Sequence, residues 1–327
     1  MLPWSATVHA APAADSLDPA TLREAIEVLQ KNHATPDSVS ADALTRATAQ
    51  GLLERLETGF EILTGTNAPE PERPFRQEAL PGEVYYIRLG SLVATKVESL
   101  DAALVAHPSK GLILDLRDTP DSGEFEVAAE IARRFCPKGR PLFSLRRAGV
   151  DERVVTSNRD PSFTGHLAVV VSPSTSGAAE VIAALLRQHA NALIVGRQTA
   201  GRGARMQEFP LRNGARVRVA TGEVVIPDAA PIHPDGLKPD IKVDVADSAE
   251  NEALEKAAEA GVISVVEEKE RVRMNEAALV AGTNPEIETI QEAQKNKGKE
   301  KPKEIRDITL QRAMDALITL DAIQLKN

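Results

Sequence analysis

The 327-residue chain combines 42% hydrophobic with 27% charged residues, the balance of a soluble globular protein long enough to bury a sizeable core. Its net charge of −9 excludes a general nucleic-acid binder, which needs a basic surface to neutralise phosphates. The single cysteine, Cys136, excludes an internal disulfide and a cysteine-based zinc site, and no apolar run reaches bilayer-spanning length.

Residues 1–16 read as a leader. Val8-His9-Ala10 places small residues around a cleavage point, as at the tail of a secretory signal, so an exported, periplasmic protein is expected; an Ala-rich floppy terminus is the alternative. Residues 17–63 are expected to be helical. Asp18-Pro19 is a helix start followed by Leu22, Ile26 and Leu29 at helical spacing, and a second helix is predicted over Ser40–Glu57. Residues 64–82 carry Pro69, Pro71, Pro74 and Pro81 among Glu and Arg, and read as a linker without an element of its own.

Residues 83–248 then alternate strand and helix, the rhythm of an α/β core with a largely parallel sheet. Aromatic content is only 3%, so that core is built from Ala, Val, Leu and Ile, which suits strands buried on both faces. Strands are predicted at Val84–Leu89, Gly111–Leu116, Leu167–Val171 and Ala192–Val195. Helices are predicted at Thr95–Ala106, Glu124–Phe135 and Ser176–His189, and Arg212–Ala215 reads as a hairpin turn between Glu208–Leu211 and Arg216–Ala220. Residues 249–327 form a helical extension. Within it Gln291–Glu304 holds lysines and almost no apolar side chain, which predicts a solvated insertion, and Thr309–Leu320 is an amphipathic helix.

Local patterns supply little chemistry. Cys136 follows the apolar run Val127–Phe135 and reads as a small buried thiol. The histidines, His9, His33, His107, His166, His189 and His233, show no metal-ligand spacing, and Gly201-Arg202-Gly203 lacks a Walker context. No metal and no cofactor are expected.

Five blocks carry more, because they occur together and in order: Val84-Tyr-Tyr-Ile-Arg-Leu-Gly-Ser91, Gly111-Leu-Ile-Leu-Asp-Leu-Arg117, Ser174-Thr-Ser-Gly-Ala-Ala-Glu180, Gly196-Arg-Gln-Thr-Ala-Gly-Arg-Gly203 and Gly236-Leu-Lys-Pro-Asp-Ile-Lys-Val243. This series resembles the carboxyl-terminal-processing, or tail-specific, serine peptidases. The resemblance implies a ClpP/crotonase-like core, here without the PDZ domain that the family usually carries between its N-terminal helices and its core. It also implies a serine nucleophile with a lysine base.

Anchored on Glu180, the nucleophile position is Gly177 and the base position is Arg202, at the family's spacing. The family's third position, a glutamine in some members, corresponds to Met206, and the glycine pair associated with the oxyanion site to Asp121-Ser122. Glycine has no attacking atom, and arginine, with a pKa above roughly 12, stays protonated and cannot act as a base. A carboxylate beside the oxyanion site opposes the charge that develops there. The chain is therefore expected to be an inactive homologue that binds peptides or unstructured protein C-termini through Asp121, Ser122, Ser176, Gly177, Ala178 and Arg202. Self-association or pairing with an active paralogue is a further expectation.

The alternative is an active serine endopeptidase with an unrecognised nucleophile, for which Ser174 and Ser176 are the candidates. Against it, a one-residue shift at a helix start turns a side chain by about 100°, and Ser174, Thr175 and Ser176 read as helix N-caps. Arg202 is expected either to receive a ligand carboxylate or to pair with an acid such as Asp121.

Overall fold

The computed structural model describes residues 18–33, 35–56, 59–63, 71–120, 123–147, 150–151, 154–212, 214–267 and 305–324. Residues 1–60 and 61–327 cluster as two compact units. In the first, helix α1 (Pro19–Asn32) begins where Asp18 accepts hydrogen bonds from the Ala20 and Thr21 amides at 2.8 and 2.9 Å, with proline in its first turn. Helix α2 spans Ala41–Leu56. Neither helix buries a residue, and Leu22, Val28, Leu29, Leu52, Leu53 and Leu56 stay exposed.

Next come β1 (Phe60–Leu63), a strand where helices were expected through residue 63, and β2 (Arg76–Leu80). β2 corrects the reading of 64–82 as a linker without an element. It pairs antiparallel with β3 (Val84–Arg88) around a loop in which Gly82 and Glu83 both adopt positive φ, and it tolerates its flanking prolines because it lies at the sheet edge. From β3 the chain continues through α3 (Ala94–Ala106), β4 (Gly111–Asp115), α4 (Phe125–Ala132), β5 (Pro141–Arg147), β6 (Val150–Asp151) and β7 (Val155–Thr156). Then come β8 (His166–Val171), α5 (Ala178–Ala190), β9 (Leu193–Gly196), β10 (Ala204–Pro210), β11 (Arg216–Val225), β12 (Ile241–Lys242), α6 (Asp247–Ala260) and α7 (Ile308–Gln324).

One sheet runs β12-β9-β8-β4-β3-β2, parallel except at β2. Its strands alternate between two apolar cores. Tyr85, Ile87, Leu112, Leu114, Leu167, Val169 and Ile194 pack with α3, α4 and α5, whereas Val84, Tyr86, Ile113, Ala168, Val170 and Val195 pack with α6 and α7. A second sheet, ordered β1-β11-β5-β6 with β10 on β11 and β7 on β5, had no counterpart in the predicted elements except the β10–β11 hairpin. Cys136 is fully buried, and burial pushes its thiol up to about 12, in keeping with a packing role. The predicted lysine-rich insertion at Gln291–Glu304 lies outside the described residues.

Charge penetrates the α6/α7 core at one place. Asp115 ends β4, and Arg117, 1% exposed, donates to it from Nε at 3.0 Å and from Nη2 at 2.8 Å. The same guanidinium grips Asp307 at 3.0 and 2.6 Å and reaches Glu250 at 3.4 Å. Asp307 in turn accepts from the Leu310 amide at 2.9 Å, so one carboxylate caps α7 and ties it to the sheet. Tyr86 donates to Asp115 at 2.8 Å. Burial pushes the Asp115 carboxyl up, but the guanidinia of Arg117 and Arg88 and the hydrogen bonds from Arg117 and Tyr86 outweigh it and hold the group at about 2.

Candidate functional site

The carboxyl ends of the neighbouring parallel strands β4, β8 and β9 lie along one edge of the sheet, the edge at which open α/β sheets position ligands. Three turns meet there and are stitched by short polar side chains. Thr175 donates to the Leu116 carbonyl at 3.0 Å and accepts from the Ser172 amide at 3.1 Å. The Ser174 hydroxyl accepts from the Asp118 amide at 3.3 Å and shares a 2.7 Å bond with the Ser172 hydroxyl. The Thr175 carbonyl accepts from the Ala200 amide at 3.1 Å.

Glu180 holds the same turns together from beneath. Its Oε2 accepts from the amides of Gly177 at 3.0 Å and Arg202 at 2.7 Å; its Oε1 accepts from the Gly201 amide at 2.7 Å and from the Thr199 hydroxyl. Thr199 meanwhile accepts from the Leu237 amide at 2.7 Å. The carboxyl is fully buried. That burial raises its pKa, and the four donors pull against the rise. The Gly177 and Arg202 amides are thus fixed to each other through one side chain.

Gly177 precedes α5 with φ 59° and ψ −123°, a backbone conformation that side chains adopt only under strain. A sharp strand-to-helix turn of this kind lifts the nucleophile out of the fold in α/β-hydrolases. Here the turn carries no side chain. The expected N-capping by Ser174, Thr175 or Ser176 is corrected: the cap is Gly177, its amide is satisfied by Glu180, and Ser174 and Thr175 are committed to the neighbouring turns. Ser176 lies ahead of the cap, not in the helix, and is 7% exposed, so the helix-rotation argument does not apply to it. Ala178, the first helical residue, is fully buried.

Arg202 takes the second of its two expected roles, pairing with an acid. Its amide serves Glu180, and its guanidinium pairs with Glu61 of β1 at 2.9 Å. Asp121 and Ser122 lie outside the described residues. Met206 sits on β10 opposite Ala220, next to a register shift between Arg205 and Met206, half-buried and without acid–base chemistry. Four of the lysines are engaged away from these turns: Lys96 with Glu72, Lys110 with Glu83, Lys242 with Asp244 and Lys256 with the Ile305 carbonyl.

Two contacts escaped the sequence reading. His233 places Nδ1 2.9 Å from the Gly201 carbonyl. A carbonyl only accepts, so Nδ1 is the protonated ring nitrogen there. The loops meet so closely that a Cβ on Gly201, at φ 73°, would stand 1.8 Å from the Pro234 carbonyl oxygen. The second contact is that of Glu61 with Arg202 and Arg218, which no local pattern announces. A cavity of about 700 Å³ beside Tyr85, His107 and Lys110 lies at the opposite, amino-terminal edge of the sheet and takes no part in this arrangement.

Residues 83–243 match peptidase family S41. The chain is 31% identical over 201 residues to a carboxyl-terminal-processing protease of Synechocystis sp., covering 56% of this chain and 47% of that protein. It is 27% identical over 168 residues to the carboxy-terminal processing protease CtpA of Bacillus subtilis, covering 51% and 36%. It therefore spans about half, or less, of the length of these relatives. Among solved structures, a peptidase-like protein of Parabacteroides merdae superimposes with a TM-score of 0.54 at 16% identity, covering 80% of this chain and 91% of that one, a likeness of fold alone. No helix among the described residues is long and apolar enough to cross a membrane.

Proposed function

Because the chain belongs, through residues 83–243, to peptidase family S41, that of the carboxyl-terminal-processing proteases, we propose that it is a non-catalytic member that binds polypeptide C-termini without cleaving them. One observation carries this reading. The turns that would hold a nucleophile and its base are clamped together by Glu180, yet they present a bare glycine at 177 and a permanently charged guanidinium at 202. Covalent catalysis needs an attacking atom and a base that can accept its proton, and these two positions offer neither. Retained geometry still suits an extended chain. Arg202, 38% exposed at its side chain, supplies a planar donor pair for a terminal carboxylate.

Assembly with itself or with an active paralogue belongs to the same reading. So does an exported, periplasmic location, for which Val8-His9-Ala10 is the support. A competing reading, an active serine peptidase, draws on His233 beside the Arg202 turn, with Ser176 as nucleophile.

The two readings separate in one titration. An unstructured, N-terminally fluorescein-labelled decapeptide of Ala, Val and Ser with a free C-terminus is followed by anisotropy against the full chain, and the recovered peptide is weighed by mass spectrometry. Saturable binding with an intact peptide is expected. Cleavage that Ser176→Ala or His233→Ala abolishes would establish the competing reading.

A further inference from the structure

We infer that Arg202 and Arg218 form a two-guanidinium carboxylate site that Glu61 of the same chain occupies, and that the free α-carboxylate of a polypeptide takes Glu61's place there. The inference rests on the peptide-binding reading and gives it a docking point and an occupant to displace.

Glu61 presents its two oxygens to different arginines. Oε1 lies 2.9 Å from Arg202 Nη2, and Oε2 lies 3.5 Å from Arg218 Nη1. Such a divided grip is what a terminal carboxylate would receive. The three side chains come from separate places: β1, the turn that carries the family's base position, and β11. Charge is unbalanced once Glu61 is set aside. Glu208 is shared by Arg216 at 2.8 Å and Arg218 at 3.2 Å, which leaves Arg202 without the carboxylate it now holds.

Exchange is physically accessible. The side chains of Glu61, Arg202 and Arg218 are 22%, 38% and 27% exposed, so a competing carboxylate reaches them from solvent and no charge is left buried during the swap. A partly exposed pair of this kind is screened by solvent and weak enough for a ligand to displace.

The test uses the labelled decapeptide in free-acid and C-terminally amidated forms against wild type, Glu61→Gln, and Glu61→Gln combined with Arg218→Gln. Removing the internal carboxylate should tighten the free-acid peptide about fivefold, the size of one partly exposed carboxylate–guanidinium contact, and leave the amide unchanged. Adding Arg218→Gln should reverse the gain. Equal free-acid affinities for wild type and Glu61→Gln would overturn this inference while peptide binding stands, as would an equal gain for acid and amide. No saturable binding of either peptide by any variant would overturn both the inference and the peptide-binding reading. Should Glu61→Gln fail to fold, Arg218→Gln in the wild-type background must weaken the free-acid peptide selectively, and no selectivity would overturn the site.

Discussion

Replacing Arg117 with methionine is expected to cost the fold about 3–5 kcal/mol at neutral pH, read as a fall in the urea midpoint at unchanged slope. Methionine fills similar space, so the loss is electrostatic: Asp115, Asp307 and Glu250 would remain in the interior around a missing cation. Wild type and variant should converge in acid. The depressed pKa of Asp115 means that its contribution is present above the unfolded value of 3.8 and is lost as pH falls towards about 2. The variant, by contrast, gains when its stranded carboxyls take up protons. A variant that stays within about 1 kcal/mol of wild type at pH 7 would show that the Arg117 ion-pair cluster is not what docks α7 onto the sheet.

A second large effect is expected at Glu180. Glu180→Gln should destabilise nearly as much as Glu180→Ala, by about 3 kcal/mol or more, because an amide cannot replace this carboxylate. Each oxygen accepts from two donors, Gly177 and Arg202 amides on one side, Thr199 hydroxyl and Gly201 amide on the other. Whichever way the glutamine is turned, its NH₂ faces at least one backbone N–H. Exchange protection of the Gly177, Gly201 and Arg202 amides should fall together in both variants. A glutamine variant as stable and as protected as wild type would mean that Glu180 does not clamp the turns.

The first sheet was legible because of burial. Gly111–Asp115 and His166–Val171 are closed on both faces and read as continuous apolar runs, and the glycines and prolines around them mark the connections. Of the second sheet only the β10–β11 hairpin was legible, from the turn between its strands. β11 takes β1 and β5 from distant parts of the chain and is half-buried along nearly its whole length, arginines included, so no local period announces those pairings. β2 was hidden for a related reason: Arg76-Gln-Glu-Ala-Leu80 is charged and follows prolines, and only its pairing to β3 makes it a strand.

The site divides in the same way. Gly177, Glu180 and Arg202 all lie within the motif blocks, so the partners of the Glu180 clamp stood together in the sequence reading. Glu61 and Arg218 stood apart, 157 residues from each other in the sequence, and only the folded second sheet brings them to Arg202. The pairing of Arg202 with an acid was anticipated in kind but assigned to Asp121. His233 looked like one scattered histidine among six until the loop approach at Gly201 placed it beside the Arg202 turn.

The account stands or falls on the absence of an activated serine. Wild-type protein treated with a fluorophosphonate, a reagent that labels serines made nucleophilic by a neighbouring base, should keep its intact mass under conditions in which an active serine peptidase is fully modified. A stoichiometric adduct, mapped by peptide mass spectrometry to Ser174 or Ser176 and lost on substitution of that serine by alanine, would contradict it.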